Sequence, residues 1–214
     1  MSDIGGIAGF AADLMDWLGA PGAGLAVALE NIFPPIPSEV ILPLAGFTAS
    51  VGDMNLAAAL VCTTIGSIVG ALALYWIGQW FGRDRLYAVV ARMPLVKVTD
   101  VEKTEAWFAK HGTKAVFFGR FVPIFRSLIS IPAGLERMPL RVFLTLTALG
   151  SAIWNTLFIM LGYGLGNRWE TVSDVVGTYS KIVLVLALVA IAAFLVVRVI
   201  QVRRRRQAGL PEEP

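Results

Sequence analysis

Histidine and cysteine each occur once in the 214 residues, and only 15% of the residues are charged. Cys62 lies inside an apolar run without a second cysteine, which excludes an internal disulfide framework. No group of His, Cys, Asp and Glu has metal-ligand spacing, so we predict neither a metal site nor a cofactor. His111 lies in a polar connection, which leaves no histidine for a nucleophilic dyad inside the membrane. The protein is therefore predicted not to be an enzyme.

Lysine and arginine are absent from the first 82 residues, and all 18 of them lie from Arg83 onward. Without an early positive segment, a cleaved signal peptide is not expected. The net charge of +3 is weak, and no nucleic-acid partner is predicted. What matters is where the basic residues lie, because their position sets the orientation of membrane spans.

Apolar residues make up 57% of the chain, with a mean hydropathy of +0.72. This composition is typical of an integral membrane protein. Two charge-free runs of 26 residues, Leu56–Phe81 and Val142–Asn167, are long enough to cross a bilayer as helices. A third span is predicted at Ile182–Val202. The fold class is therefore an all-α polytopic membrane protein.

A proline-rich stretch occurs twice, at Phe33–Gly46 and Phe121–Gly134, with an offset of 88 residues. Each copy is too short and too broken by proline to span the membrane, so we interpret the pair as half-membrane, re-entrant hairpins. The two long runs repeat as well, since Gly66-Ser67 recurs as Gly150-Ser151. A unit of hairpin plus transmembrane helix is therefore duplicated.

The basic residues orient these two units in opposite directions. Arg83–Lys114 and Arg203–Arg206 should both be cytoplasmic, which requires the second hairpin to return to the side that it entered from. The result is an inverted repeat, whose broken segments are expected to form a central transport site. We predict one membrane domain, 1–202. It comprises repeat 1 (about 1–82), repeat 2 (about 83–168) and a C-terminal span (about 181–202), with a cytoplasmic tail at 203–214.

Two smaller elements are expected beside the repeats. Residues 1–20 are predicted to form an interfacial helix that Pro21 and Gly22 end, and its side of the membrane stays open. Thr99-Asp-Val-Glu102 is typical of a capping box, and Gly112 is expected to end the short helix that it opens.

The two hairpins carry ionisable residues, which mark function at membrane depth. Arg120 and Arg126 are the candidate phosphate-binding residues, because guanidinium binds phosphate through two hydrogen bonds. Glu30 and Glu39 are the candidate proton-coupling residues, because burial favours the neutral form of a carboxyl group. We hypothesise that the glutamates hold protons and compete with the anionic headgroup for the arginines. The accessory candidates are Ser38, Asp53, Ser127, Trp154 and Asn155.

A purely structural interpretation remains open for each of these residues. Glu–Arg pairs could simply join the two halves, and Asp53 could be a turn residue. Trp154 could serve packing or interface anchoring. Under the repeat, Ser38 corresponds to Arg126 and Glu39 to Ser127, so the two hairpin tips present opposite charges.

These residues resemble the DedA family, the bacterial members of the group that includes the SNARE-associated Golgi proteins. The motifs are Glu30 followed by Phe33-Pro-Pro-Ile-Pro-Ser-Glu39, then Phe118-Gly-Arg120-Phe-Val-Pro-x-x-Arg126-Ser, Pro-Ala-Gly134 and Trp154-Asn155. The resemblance covers roughly residues 25–170. It implies a multi-pass protein of the bacterial plasma membrane with two opposed re-entrant hairpins. It also implies lipid transport, with the glutamates and arginines as the functional acidic and basic pairs.

The predicted function is a membrane lipid transporter, with undecaprenyl phosphate as the expected substrate and protons as the coupling ion. Alternatives are a phospholipid flippase or scramblase, a proton-dependent ion antiporter without a lipid substrate, and a scaffold for other membrane proteins. The expected partners are a polyprenyl phosphate or phospholipid and protons, and homo-oligomerisation stays open.

Overall fold

A computed structural model describes residues 7–32, 38–90, 98–165 and 189, and these residues are helical apart from short turns. The helices are α1 (Ile7–Leu18), α2 (Ala20–Ile32), α3 (Ser38–Ser50), α4 (Leu56–Val90), α5 (Val98–Gly119), α6 (Pro123–Leu128), α7 (Ser130–Leu135) and α8 (Leu140–Leu165). The all-helical class is confirmed within this part of the chain. The predicted C-terminal span lies, except for residue 189, outside the described residues.

Helices α4 and α8 are the two described helices that are long and apolar enough to cross a membrane, as the charge-free runs predicted. The apolar part of α4 is Leu56–Arg83, with 28 residues, and α8 has 26 residues. The side chain of Asn55 begins α4, where its Oδ1 accepts a hydrogen bond of 3.0 Å from the Ala58 N–H. Gly82 interrupts α4 with a positive φ of 69°, at the point where the apolar run ends.

The first predicted hairpin, Phe33–Gly46, follows α2 and includes the start of α3, and residues 33–37 lie outside the described residues. Helix α2 runs alongside the first half of α4, because a Cβ on Gly66 would lie 2.0 Å from the Gly24 carbonyl oxygen. Further along, a Cβ on Gly70 would lie 2.6 Å from the Asn31 Cβ. The end of α2 therefore lies beside the middle of α4. Helix α3 then leads through the turn at 51–55 into the start of α4.

The second hairpin consists of α5, a turn at 120–122, and the short helices α6 and α7. Pro123 begins α6, where proline has no amide hydrogen to lose. The turn packs against α8, since a Cβ on Gly150 would lie 3.0 Å from the Arg120 Cβ and 3.2 Å from the Phe117 carbonyl oxygen.

Each long helix packs closely against the hairpin of the other half. A Cβ on Gly78 of α4 would lie 2.3 Å from the Ile131 carbonyl oxygen of α7. A Cβ on Gly162 of α8 would lie 2.1 Å from the Pro43 carbonyl oxygen of α3. At such distances only glycine fits, so backbone meets backbone at both crossings.

Two expected helix ends are wrong. The first helix ends at Leu18, before Gly19 with its φ of 63°, and Pro21 lies in the first turn of the next helix. Proline tolerates that position because it lacks an amide hydrogen. Gly112 does not end α5, which continues to Gly119. At Gly112 a Cβ would meet the Phe108 ring at 2.9 Å, so this glycine makes room for an aromatic side chain within the helix.

Candidate functional site

An ion pair joins the two hairpins. The Arg126 guanidinium of α6 donates a hydrogen bond to the Glu30 carboxylate near the end of α2, and both side chains are buried. The next residues along each helix meet as well, because the Ser127 hydroxyl donates to the Asn31 Oδ1 at 3.2 Å. Two adjacent contacts fix how α2 and α6 face each other.

This pair lies at the depth of the middle of the α4 span. Asn31 contacts Gly70, which is near the centre of Leu56–Arg83. At about 1.5 Å of rise per residue, that position is roughly 20 Å from each end of the span. Charges at such depth are costly, and in membrane proteins they face the interior, pair with each other and mark function.

Glu39 is the second buried carboxyl group. It lies in the first turn of α3, and its residue is 5% exposed. Its Oε1 has no hydrogen-bond partner among the residues that the structure describes. The Glu39 carboxylate is close enough to Glu30 for their charges to interact. Two buried acidic groups, Glu30 near the end of α2 and Glu39 in the first turn of α3, therefore lie near each other.

Arg120 is held by the hydrogen bonds that its guanidinium donates to three acceptor groups. Its Nη1 donates to the Arg126 carbonyl oxygen at 2.5 Å, and its Nη2 donates to the hydroxyls of Ser130 at 3.1 Å and Thr147 at 3.0 Å. The residue is 2% exposed, and its Nε has no partner within the described part of the chain. Arg120 thus connects the hairpin turn to α8 while keeping one buried donor unused.

The predicted site residues therefore separate into two groups. The structure brings four of them together. Arg126 contacts both Arg120 and Glu30, and Ser127 binds Asn31, the residue that follows Glu30. Asp53 is exposed in the turn before α4, and its backbone N–H donates to the Thr48 carbonyl oxygen at 3.2 Å. Ser38 begins α3, and its side chain is outside what the structure describes.

Trp154 and Asn155 are buried in α8. The Trp154 ring packs 4.6 Å from the Phe158 ring and 6.4 Å from the Phe121 ring, and its Nε1 has no partner among the described residues. The Asn155 amide donates to the Ser67 hydroxyl at 3.1 Å, which links α8 to α4. Trp154 thus packs beside the turn at 120–122, and neither residue hydrogen-bonds to the Glu30–Arg126 pair within the described part of the chain.

Sequence reasoning missed four polar residues that hydrogen-bond to the predicted site residues, namely Asn31, Ser67, Ser130 and Thr147. Each is a small polar residue in an apolar helix, and each is almost fully buried. Asn31 directly follows Glu30, which was a usable signal. The partners of the other three depend on helix crossings that sequence spacing does not reveal.

The fold and the buried pair define an integral membrane protein that is helical over the described residues and that holds a buried ion pair between α2 and α6. Residues 36–164 match the VTT domain. A protein named alkaline phosphatase-like protein, from Lactococcus lactis, is 42% identical over 86% of this chain and 88% of its own length. Undecaprenyl phosphate transporter A from Bacillus subtilis is 37% identical over 87% of this chain and 93% of its own length.

Protein DedA from Escherichia coli is 32% identical over 63% of this chain and 62% of its own length. The chain belongs to the VTT-domain, or DedA, family, as the sequence motifs predicted. No solved structure matches it.

Proposed function

We propose that this protein transports a polyprenyl phosphate, most simply undecaprenyl phosphate, across the membrane by a proton-coupled mechanism. The single observation that carries the proposal is the buried Glu30–Arg126 pair between the hairpins. A guanidinium at mid-membrane depth suits a phosphate headgroup, and a carboxylate already bound to it gives the phosphate a competitor. A relative that matches most of this chain is named undecaprenyl phosphate transporter A.

In this competition, the Glu30 carboxylate and the phosphate bind Arg126 in turn. A proton that binds Glu30 neutralises the carboxylate and releases the Arg126 guanidinium, which can then bind two phosphate oxygens. When the phosphate leaves, Glu30 loses its proton and pairs with Arg126 again. Glu39 has an unpaired carboxylate oxygen near this pair, and we assign it as the second proton-binding group.

Arg120 contributes differently from Arg126. Its two terminal nitrogens already bind protein groups, and one of these is the backbone carbonyl of Arg126 itself. It therefore holds the α6 turn in place and leaves its Nε–H as a further donor to the phosphate. Ser127 positions the same turn through Asn31.

An inverted repeat would expose this site to each side of the membrane in turn. The reciprocal glycine crossings support it, because Gly78 and Gly162 are equivalent under the repeat and each packs on the opposite hairpin. We further propose that the protein is a multi-pass protein of the bacterial plasma membrane. The chain would comprise the repeats at about 1–82 and 83–168 and a C-terminal span that ends in the cytoplasm.

The test is translocation of undecaprenyl phosphate in proteoliposomes, with and without a pH gradient. Wild type should move the lipid, and the gradient should change the rate. Arg126→Gln should abolish movement, and Glu39→Gln should retain movement with a weaker dependence on the gradient, because Glu30 can still bind a proton. Arg141→Gln is a matched control, since Arg141 is exposed at the start of α8.

Misfolding of Arg126→Gln is addressed by a second variant, Glu30→Gln/Arg126→Gln, which leaves no unpaired buried charge. This double variant should fold and still fail to transport. Wild-type protein that moves no polyprenyl phosphate would contradict the proposal. Phospholipids and simple ion exchange would then be the next substrates to test.

A further inference from the structure

A recess lies at the end of α4 where its apolar run stops. It has a volume of about 470 Å³, within the range of small-ligand sites, and its lining consists of Gln79, Gly82, Arg83, Leu135, Glu136 and Arg137. These residues come from the end of the first span and the end of the second hairpin. The recess is thus separate from the Glu30–Arg126 pair.

The surroundings place this recess at the level of lipid headgroups. Trp80 is 76% exposed, and the Arg85 guanidinium lies 4.7 Å from the centre of its ring. Exposed tryptophan beside arginine at the end of an apolar helix is typical of a membrane–water interface. A phosphate group that enters the recess could keep its hydrocarbon chain in the bilayer.

Arg83 in the recess is engaged by two acidic residues. It donates to Glu136 at 2.6 Å and lies 3.5 Å from Glu105, whose carboxylate also accepts a hydrogen bond from the Tyr87 hydroxyl at 2.9 Å. Its side chain is 51% exposed, so these pairs are solvent-screened and individually weak. An anion with a higher charge density than a carboxylate can therefore displace Glu136 from Arg83.

Arg137 supplies a second guanidinium. It is exposed and has a positive φ of 49°, unusual for a residue other than glycine. Within the described ranges its guanidinium has no ion pair or hydrogen bond. Gln79 adds an amide donor at the same recess. Two guanidiniums and an amide are donors that suit a phosphate monoester.

We propose that this recess is a second phosphate-monoester site, in which the bound phosphate takes Arg83 from Glu136. Because Glu136 follows α7 directly and Arg83 follows the break at Gly82, this exchange removes one ion pair between the second hairpin and the end of the first span. The identity of the lipid rests on the proposed function, whereas binding of a phosphate monoester does not.

The test measures binding of farnesyl phosphate, inorganic phosphate and farnesol to the full chain in detergent by isothermal titration. It uses the Glu30→Gln/Arg126→Gln background, which removes the central pair. In this background farnesyl phosphate should still bind. Adding Arg137→Gln should weaken binding about tenfold, the effect of one charge-assisted contact. Adding Arg141→Gln should leave it unchanged.

Glu136→Gln should change the affinity for farnesyl phosphate in the opposite direction. It removes the competitor of the phosphate, so binding should become several-fold tighter. Wild-type protein that moves no polyprenyl phosphate, with farnesyl phosphate still bound in this background, would contradict the proposed function alone. Inorganic phosphate that binds as tightly as farnesyl phosphate would assign the site to free phosphate, and weaker binding assigns it to a lipid headgroup. Equal binding of farnesol, or no effect of either Arg137→Gln or Glu136→Gln, would overturn the proposal.

Discussion

Gly78 of α4 and Gly162 of α8 make the same kind of contact, since Gly78 packs on the backbone of Ile131 in α7 and Gly162 on the backbone of Pro43 in α3. A single methyl group at either position would lie within 2.3 Å of a carbonyl oxygen. Gly78→Ala and Gly162→Ala should therefore each lower the free energy of unfolding by about 1 to 3 kcal/mol, the range for overpacking. Thermal unfolding in detergent, followed by circular dichroism, measures this.

Gly164→Ala is the matched control for that comparison. Gly164 lies on α8, as Gly162 does, and a Cβ there would meet no atom within 4 Å. Its replacement should leave the unfolding temperature unchanged or slightly raised, since alanine favours helix. Equal effects of all three substitutions would show that the close crossings contribute nothing to stability.

The Glu30–Arg126 pair predicts strong coupling between two substitutions. Glu30→Gln or Arg126→Gln alone should cost about 3 to 5 kcal/mol if the remaining charge stays buried and unpaired. The double variant should cost less than the sum, because no lone charge remains. A double-mutant cycle on unfolding in detergent gives the coupling energy. Strictly additive effects would be inconsistent with the pair.

The Arg120 network predicts a local effect at α8. Thr147→Val removes an acceptor of the buried guanidinium and should lower the free energy of unfolding by about 1.5 to 3 kcal/mol. Thr145→Val is the control, because the Thr145 hydroxyl is exposed and donates only to the Arg141 carbonyl within its own helix. The same unfolding assay compares them, and similar losses for both would argue against a special role of Thr147.

Tyr87 predicts a pH dependence at alkaline pH. Its hydroxyl donates to Glu105, and this hydrogen bond raises the pKa of Tyr87 above its ordinary value of 10.0. A raised pKa means that the protonated form is favoured by folding. The contribution to stability is therefore complete below pH 10 and is lost as the pH rises through the folded pKa.

The difference in phenolate absorbance between wild type and Tyr87→Phe, followed against pH, isolates this group. Glu105→Gln should lower the pKa of Tyr87 towards 10.0, because it removes the main cause of the shift. Glu102→Gln, which acts only through a more distant charge, should lower it less. An unchanged titration in Glu105→Gln would contradict the contact.

Sequence patterns predicted which helices form better than they predicted the residues at which those helices end. The charge-free runs gave both long helices because about 20 apolar residues have no other stable state in a bilayer. Gly19, and not Pro21, separates the first two helices, since a positive φ breaks a helix whereas proline is accommodated in a first turn. The expectation that Gly112 ends a helix was wrong for a related reason, because glycine also serves close packing.

Sequence alone determined the membrane class and the family, and it singled out the residues Glu30, Glu39, Arg120 and Arg126. The length of an apolar run, the spacing of a repeated motif and an isolated charge in an apolar segment can all be read directly from the sequence. Tertiary structure decided the pairing: Glu30 meets Arg126, while Arg120 binds Ser130, Thr147 and the Arg126 carbonyl. Those contacts depend on where the helices cross, and glycine backbones in close contact set the crossings.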